Sequence, residues 1–206
     1  MSERPISIVV IKGSVRPGNY TSMAAAIVVD ELSKNDRVSV EVVDPSKLKL
    51  PPPGVDGDSP DAARLKEMVS QATGVILVTP EYHGSFSSVM KLVIENLGFP
   101  SVLSGKPVAL LGVAAGSIGA IKSLEHLRGV VSHIGGLALP LPVSVANVQH
   151  VFDKDGRILE PQVEKMIRAV PLNLLSFIDR HICPRVTLER ILREGMEKAS
   201  DDVMVA

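Results

Sequence analysis

The chain has no tryptophan, one cysteine, two tyrosines and four phenylalanines in 206 residues. Each scarcity excludes something. Cys183 has no second cysteine to pair with, so no internal disulfide forms and nothing points to an oxidising compartment. Without a CxxC partner it reads as inert. Few aromatics make it hard to build the stacking platform of a single-stranded nucleic-acid binder. A formal charge of -1 gives no electrostatic pull toward nucleic acid or an anionic membrane. No apolar stretch reaches spanning length without glycine, proline or charge. The N-terminal MSERPISIVV lacks the long apolar core and small-residue cleavage site of a signal peptide. His126, His133, His150 and His181 have no metal-ligand spacing. The expectation is a cytoplasmic protein with no metal, nucleic-acid or membrane partner.

What is present is an alternation of strand-length apolar runs and helix-period segments. Strands are expected at Ile6 to Ile11, Val38 to Val43, Gly74 to Thr79 and Pro107 to Val113. A fifth lies within Leu137 to Val145, interrupted by Pro140 and Pro142. Helices are expected at Thr21 to Ser33, Asp61 to Gln71, Ser85 to Leu97, Ala120 to Ile134 and Gln162 to Ile178. Pro171 should kink or split the last of these. A proline-rich surface loop spans Pro45 to Pro60, a turn falls at Asp153 to Gly156, and a short helix is expected near Leu188 to Met196. The fold class is α/β, a doubly wound five-stranded parallel sheet with helices on both faces. Five strands favour the flavodoxin-like order 2-1-3-4-5 over a six-stranded Rossmann order. One domain should occupy residues 1–184, followed by a tail at 185–206.

In that order the loops after the first and third strands, Gly13 to Asn19 and Pro80 to Gly84, flank the crevice where such sheets bind ligands. The first loop enters a helix, whose N-terminal N–H groups and dipole suit a phosphate. Ser14, Arg16, Asn19, Thr21 and Ser22 add side-chain donors. The spacing of Gly13 and Gly18 matches a nucleoside-triphosphate loop. Asn19 and Tyr20, however, stand where lysine and Ser/Thr are needed, so that reading fails. A tightly held dinucleotide would use Asp44 on a ribose, but no Gly-x-Gly-x-x-Gly is present, and Asp44 before Pro45 reads as a turn residue. A mononucleotide monophosphate, which needs donors and no metal, fits the loop.

Three segments carry a resemblance. Thr79-Pro80-Glu81-Tyr82-His83-Gly84-Ser85, continuing to Lys91 and Ile94-Glu95-Asn96, resembles the T-P-E-Y-N segment and following helix of the NADPH-dependent FMN reductases. Gly13-Ser14-Val15-Arg16-Pro17-Gly18-Asn19-Tyr20-Thr21 is similar to that family's phosphate loop, and Gly105-Lys106-Pro107-Val108-Ala109 to its G-K-P-V-A segment. The resemblance runs from Ile6 to Gly136 and implies a flavodoxin-like fold, bound FMN, NADPH (or NADH) as co-substrate, and a homodimer or homotetramer. It also implies a small acceptor: a flavin, quinone, azo dye or metal oxyanion. Carried over residue by residue, Ser14, Arg16, Asn19 and Thr21 would hold the FMN phosphate, with Tyr20 and Ser22 beside them. Pro80, Glu81, Tyr82, His83 and Gly84 would line the flavin ring, and Gly116 and Ser117 would approach its other edge. Five positions depart from the family pattern: Asn19 replaces serine and Thr21 asparagine in the phosphate loop, and His83 replaces asparagine, Ser87 proline and Leu92 asparagine.

Other readings stand beside these. Glu81 could complement the dipole of the third helix. Ser117 could cap the fourth helix, and His83 could be a turn residue. No dedicated catalytic acid or base is expected, because hydride transfer through a flavin asks the protein mainly for position. The alternative is a flavodoxin-type electron carrier that turns over no nicotinamide. Near-neutral charge and few aromatics count against it.

Overall fold

The computed structural model describes residues 6–55 and 59–183, with Val186, Leu188, Glu189 and Leu192. In chain order its elements are β1 (Ile6–Lys12), α1 (Tyr20–Leu32), β2 (Val38–Val43), α2 (Pro60–Gln71), β3 (Gly74–Tyr82), β4 (Ser85–Phe86), α3 (Ser88–Glu95), β5 (Pro107–Val113), α4 (Ile121–His133), β6 (Leu137–Ala138), β7 (Val143–Val145), α5 (Val148–Val151) and α6 (Pro161–Phe177). The chain divides into two units, Met1–Leu174 and Leu175–Ala206. In the second, the rings of Phe177 and His181 pack with centroids 4.8 Å apart. The helix expected near Leu188 to Met196 falls largely outside the described residues.

The first unit is built on the sheet. Unbroken apolar runs form β3 up to Pro80 and all of β5, which are buried on both faces as central parallel strands require. Exposed and half-buried residues alternate along most of β2, which sits at an edge. The strand order is β2-β1-β3-β5-β6. The fifth parallel position, expected as one strand, is filled by two short ones. β6 pairs with Pro107 and Val108 at the start of β5, and β7 pairs with Leu111 to Val113 at its end. The break between them follows from Pro140 and Pro142, which cannot donate to a ladder, and from Leu141 at φ 61. Leu139 is still satisfied: its N–H reaches the Val108 carbonyl, and its carbonyl accepts from Arg128 Nη2 at 2.7 Å. Counted by position, the sheet has the expected 2-1-3-4-5 order.

One face of the sheet packs Val9, Ile11, Val75, Leu77, Val108 and Leu110 against Leu65 and Val69 of α2, Met90 and Val93 of α3, and Leu124 and Leu127 of α4. The other face takes Ala24, Ala25, Val28 and Leu32 of α1. No helix among the described residues is long and apolar enough to cross a membrane.

Two expectations need correction. The third helix does not begin at Ser85. His83 and Gly84 adopt φ of 50 and 74, the pair of positive values that closes a two-residue hairpin. Ser85 and Phe86 therefore turn back onto Tyr82 and Glu81, and α3 starts at Ser88. Of the two outcomes expected at Pro171, a kink or a split, the split does not occur, and α6 runs unbroken from Pro161 to Phe177. Ile167, Val170, Pro171 and Leu174 are buried, and this apolar seam outweighs one missing helical hydrogen bond. The short α5 was not expected.

Arg168 ties α6 to α1. Its guanidinium reaches Asp30 at 2.5 Å, Glu31 at 2.9 Å and Glu164 at 2.8 Å. Hydrogen bonds from Arg168 and Lys34 hold both α1 carboxyls below the usual range, against a smaller opposing pull from burial. Replacing Arg168 by Met keeps an apolar stem and removes the charge. The expected result is a loss of about 1 kcal/mol in urea unfolding that shrinks at high salt. A loss independent of salt would assign the role to packing instead.

Candidate functional site

β1 runs between β2 and β3, so the chain leaves it toward one neighbour while the other sits ready on the opposite side. At the carboxyl end of this junction Gly13 continues the ladder for one more residue, its N–H donating to the Val78 carbonyl at 2.7 Å. A side chain cannot fit there, since a Cβ on Gly13 would lie 2.9 Å from that same oxygen and 3.2 Å from Thr79 Cα. The next residue, Ser14, is 3% exposed. Its Oγ is the one buried side-chain polar atom without a hydrogen-bond partner among the described residues. Leaving a buried hydroxyl unpaired costs about 1–3 kcal/mol. An acceptor-rich group arriving at the loop would remove that cost.

The loop beyond is closed by Asn19. Its Nδ2 donates to the Arg16 carbonyl at 2.5 Å, and its Oδ1 accepts from Ser22 N–H at 2.7 Å as the cap of α1. Both polar atoms of Asn19 are thus engaged in shaping the loop. Thr21 is buried and Ser22 half-buried in the first turn of α1. The Tyr20 ring stacks on Phe152 with centroids 6.3 Å apart, which packs it against the body of the fold. Lys12, just before the loop, is paired with Asp44 at 2.7 Å. Asp44 also accepts from the N–H and hydroxyl of Ser46, which confirms it as a turn residue. Arg16 is exposed at the loop's outer side.

The end of β3 faces this loop. The Arg16 guanidinium lies 6.0 Å from the centroid of the Tyr82 ring, so the first and third strands' loops meet across the crevice. Pro80 is buried and pairs with Val113; His83 and Gly84 form the hairpin turn. An asparagine and a histidine both tolerate positive φ better than most residues, which accounts for the substitution at His83. Glu81 serves a helix, but not the expected one. Its Oε2 accepts from the Ser123 N–H at 3.1 Å in the first turn of α4. That turn begins at Ala120, which offers no side-chain cap. Ser117 is therefore not the cap of α4. It lies exposed with Gly116 in the loop after β5, at the same edge of the sheet. The Ser85 hydroxyl meets His126 Nδ1 at 3.1 Å and joins the hairpin to α4.

Two residues have roles that the sequence reading does not assign, Ser87 and Thr79. Ser87 Oγ donates to the Gly13 carbonyl at 2.5 Å and accepts from Met90 N–H as the cap of α3. Thr79 Oγ1 in turn accepts from Ser87 N–H at 3.3 Å. A hydroxyl immediately before a helical run is a readable cap signal. Its reach to Gly13, 74 residues away, is not.

A family model described as NADPH-dependent FMN reductase matches residues 6–150. The chain belongs to the NADPH-dependent FMN reductase family. It is an oxidoreductase that uses FMN as cofactor and NAD(P)H as co-substrate. It is 31% identical over 168 residues to an NAD(P)H-dependent FMN reductase of Pseudomonas aeruginosa, covering 79% of this chain and 90% of the relative. It is 30% identical over 181 residues to a 2-hydroxy-1,4-benzoquinone reductase of a Burkholderia species, covering 85% and 94%. Among solved structures, the flavoenzyme NAD(P)H:(acceptor) oxidoreductase of Paracoccus denitrificans superposes with a TM-score of 0.71 at 21% identity, covering 85% of this chain and 98% of that one. At that identity the likeness shows the fold. No comparison favours a flavodoxin-type carrier.

Burial pushes Asp44 upward, but hydrogen bonds from Lys12 and Ser46 outweigh it and leave this reductase's Asp44 below the ordinary value of 3.8. A carboxyl whose pKa is lower folded than unfolded adds stability above the unfolded value and loses it as pH falls through the folded one. Wild type should therefore lose more stability than Asp44→Asn between about pH 5 and pH 2. Parallel denaturation profiles for the two proteins would show that the Lys12 pair contributes nothing.

Proposed function

We propose that Ser14 and Arg16 hold the FMN phosphate against the start of α1, and that the Pro80 to Gly84 hairpin and the Gly116–Ser117 loop line the flavin ring. The observation that carries this is the buried, unpartnered Ser14 hydroxyl beside a helix N-terminus, whose first N–H groups have no intrahelical partner. In this reading Asn19 shapes the loop through the Arg16 carbonyl and the Ser22 N–H, and the second N–H of its Nδ2 is left for the phosphate. Thr21 and Ser22 border the phosphate from the first helical turn, and Tyr20 supports the loop through Phe152. Lys12 is neutralised by Asp44, which leaves Arg16 as the loop cation.

When bound, FMN supplies hydride acceptance and donation. The chain's own contribution is placement. Backbone groups of the hairpin address the polar edge of the ring, and Glu81 fixes the hairpin by its bond to α4. The exposed apolar side chains at this edge, Val15, Tyr82, Ile118 and Ile121, rim an open mouth. That supports a site used in turn by NAD(P)H and by a small acceptor. An apolar rim suits a planar neutral acceptor of the quinone kind, in keeping with the quinone reductase relative. No side chain is assigned as acid or base.

A cytoplasmic homodimer or homotetramer completes the reading. Phe99 is 98% exposed beside a groove of about 530 Å³ that includes Ile94, Val130 and Ile134, at the helix ends far from the crevice. An apolar side chain so exposed next to an apolar groove supports contact between copies.

The purified protein should be yellow, should bleach on addition of NADPH under exclusion of oxygen, and should regain colour when a benzoquinone is added. Protein that stays colourless after soaking in FMN and desalting would end the reading. Arg16→Ala should weaken FMN binding by about 1.5–3 kcal/mol, the scale of a charge-assisted hydrogen bond. Fluorescence titration with FMN measures this, and an unchanged affinity would place the phosphate elsewhere.

A further inference from the structure

Ser87 sits where the carboxyl end of β1, the end of β3 and the start of α3 converge, and it is 2% exposed. Three hydrogen bonds meet on it. Its N–H donates to Thr79 Oγ1 at 3.3 Å, its Oγ accepts from Met90 N–H at 3.0 Å, and its hydroxyl proton goes to the Gly13 carbonyl at 2.5 Å. The Thr79 hydroxyl donates onward to the Pro80 carbonyl at 3.0 Å. Gly13 is therefore held at both of its backbone groups, by Val78 through its N–H and by Ser87 through its carbonyl. The helix cap alone does not require the last of these. A capping serine needs only to accept, and this one also donates into the loop.

A trans peptide places the carbonyl of one residue and the N–H of the next on opposite sides. Drawing the Gly13 carbonyl toward α3 thus turns the Ser14 N–H away from α3. Ser14 is the residue with the unpartnered buried hydroxyl. We propose that Ser87 is a positioning residue for the cofactor: by holding the Gly13 carbonyl it orients the Gly13–Ser14 peptide so that Ser14 presents its N–H to the phosphoryl group of FMN. This rests on the assignment of Ser14 to the phosphate. The consequence is selective. Ser87 governs recognition of the phosphate and leaves recognition of the flavin ring alone.

The test compares FMN with riboflavin, which has the same ring and no phosphate. Flavin-free full-length protein, checked for folding by circular dichroism, is titrated with each ligand, and fluorescence quenching gives the two dissociation constants. Ser87→Ala removes both the cap and the donor. Ser87→Gly keeps most of the cap's stability, since glycine is tolerated there, and removes only the donor. Both variants should bind FMN about 5- to 30-fold more weakly, the effect of one lost buried hydrogen bond. Riboflavin affinity should stay within about twofold of wild type by the same argument. Ser87→Thr, which keeps the hydroxyl, should restore FMN affinity. Loss of FMN and riboflavin affinity in parallel would overturn the proposal and reduce Ser87 to a helix cap. Unchanged FMN affinity in a folded Ser87→Gly protein would overturn it equally. Wild-type protein that binds neither flavin would overturn the cofactor assignment itself. Wild type that binds both equally would remove Ser14 from the phosphate before any variant is made.

Discussion

The contact between Gly13 and the end of β3 is the constraint on which the site depends. There the backbone of the first strand lies so close to Val78 and Thr79 that no Cβ fits. That closeness lets β1 pair one residue beyond its regular strand and brings the Gly13 carbonyl within reach of Ser87. It also puts Ser14 underneath the following loop instead of at its surface. A larger residue at position 13 would push the loop off β3 and expose Ser14 to water. The loop after β1 is therefore shaped as much by what packs beneath it as by its own residues.

Charge is distributed around the site by pairing. Lys12 is answered by Asp44, Glu81 by the N-terminus of α4, and Arg168 by three carboxylates far from the crevice. Lys106 bridges the Ser70 and Ala72 carbonyls at the end of α2, and burial lowers its pKa. These groups fix elements in place. Arg16 is exposed on the loop, with its guanidinium 6.0 Å from the centroid of the Tyr82 ring, and in the proposed reading it meets the anionic end of the cofactor. This division explains how a chain of nearly zero net charge presents a local cation at its mouth.

Much of the fold was legible because its signals are local. The apolar runs of β1, β3 and β5 read as covered strands by their short length and β-branched content, and their alternation with helices implies a parallel sheet. Pro140 and Pro142 announced a damaged fifth strand, and the structure resolves the damage into β6 and β7. Sequence and structure part in two places, one local and one distant. The pattern from Ser85 reads as helix, but the positive φ of His83 and Gly84 turns Ser85 back onto Tyr82 as a strand. Glu81 stands nearest in sequence to the third helix, whereas the helix it hydrogen-bonds, α4, begins about forty residues later.

The sequence by itself determined the strand order, the crevice and the kind of loop that fills it, since periodicity and turn chemistry act between residues close along the chain. The tertiary structure alone decided which polar atoms of that loop are occupied and which are free. Asn19 caps α1 and ties its own loop, the Ser14 hydroxyl is buried with no partner among the described residues, and Ser87 reaches Gly13 from another element. The physical reason is that hydrogen-bond satisfaction is settled by proximity in space, and packing at the β1–β3 junction brings together groups that no spacing rule connects.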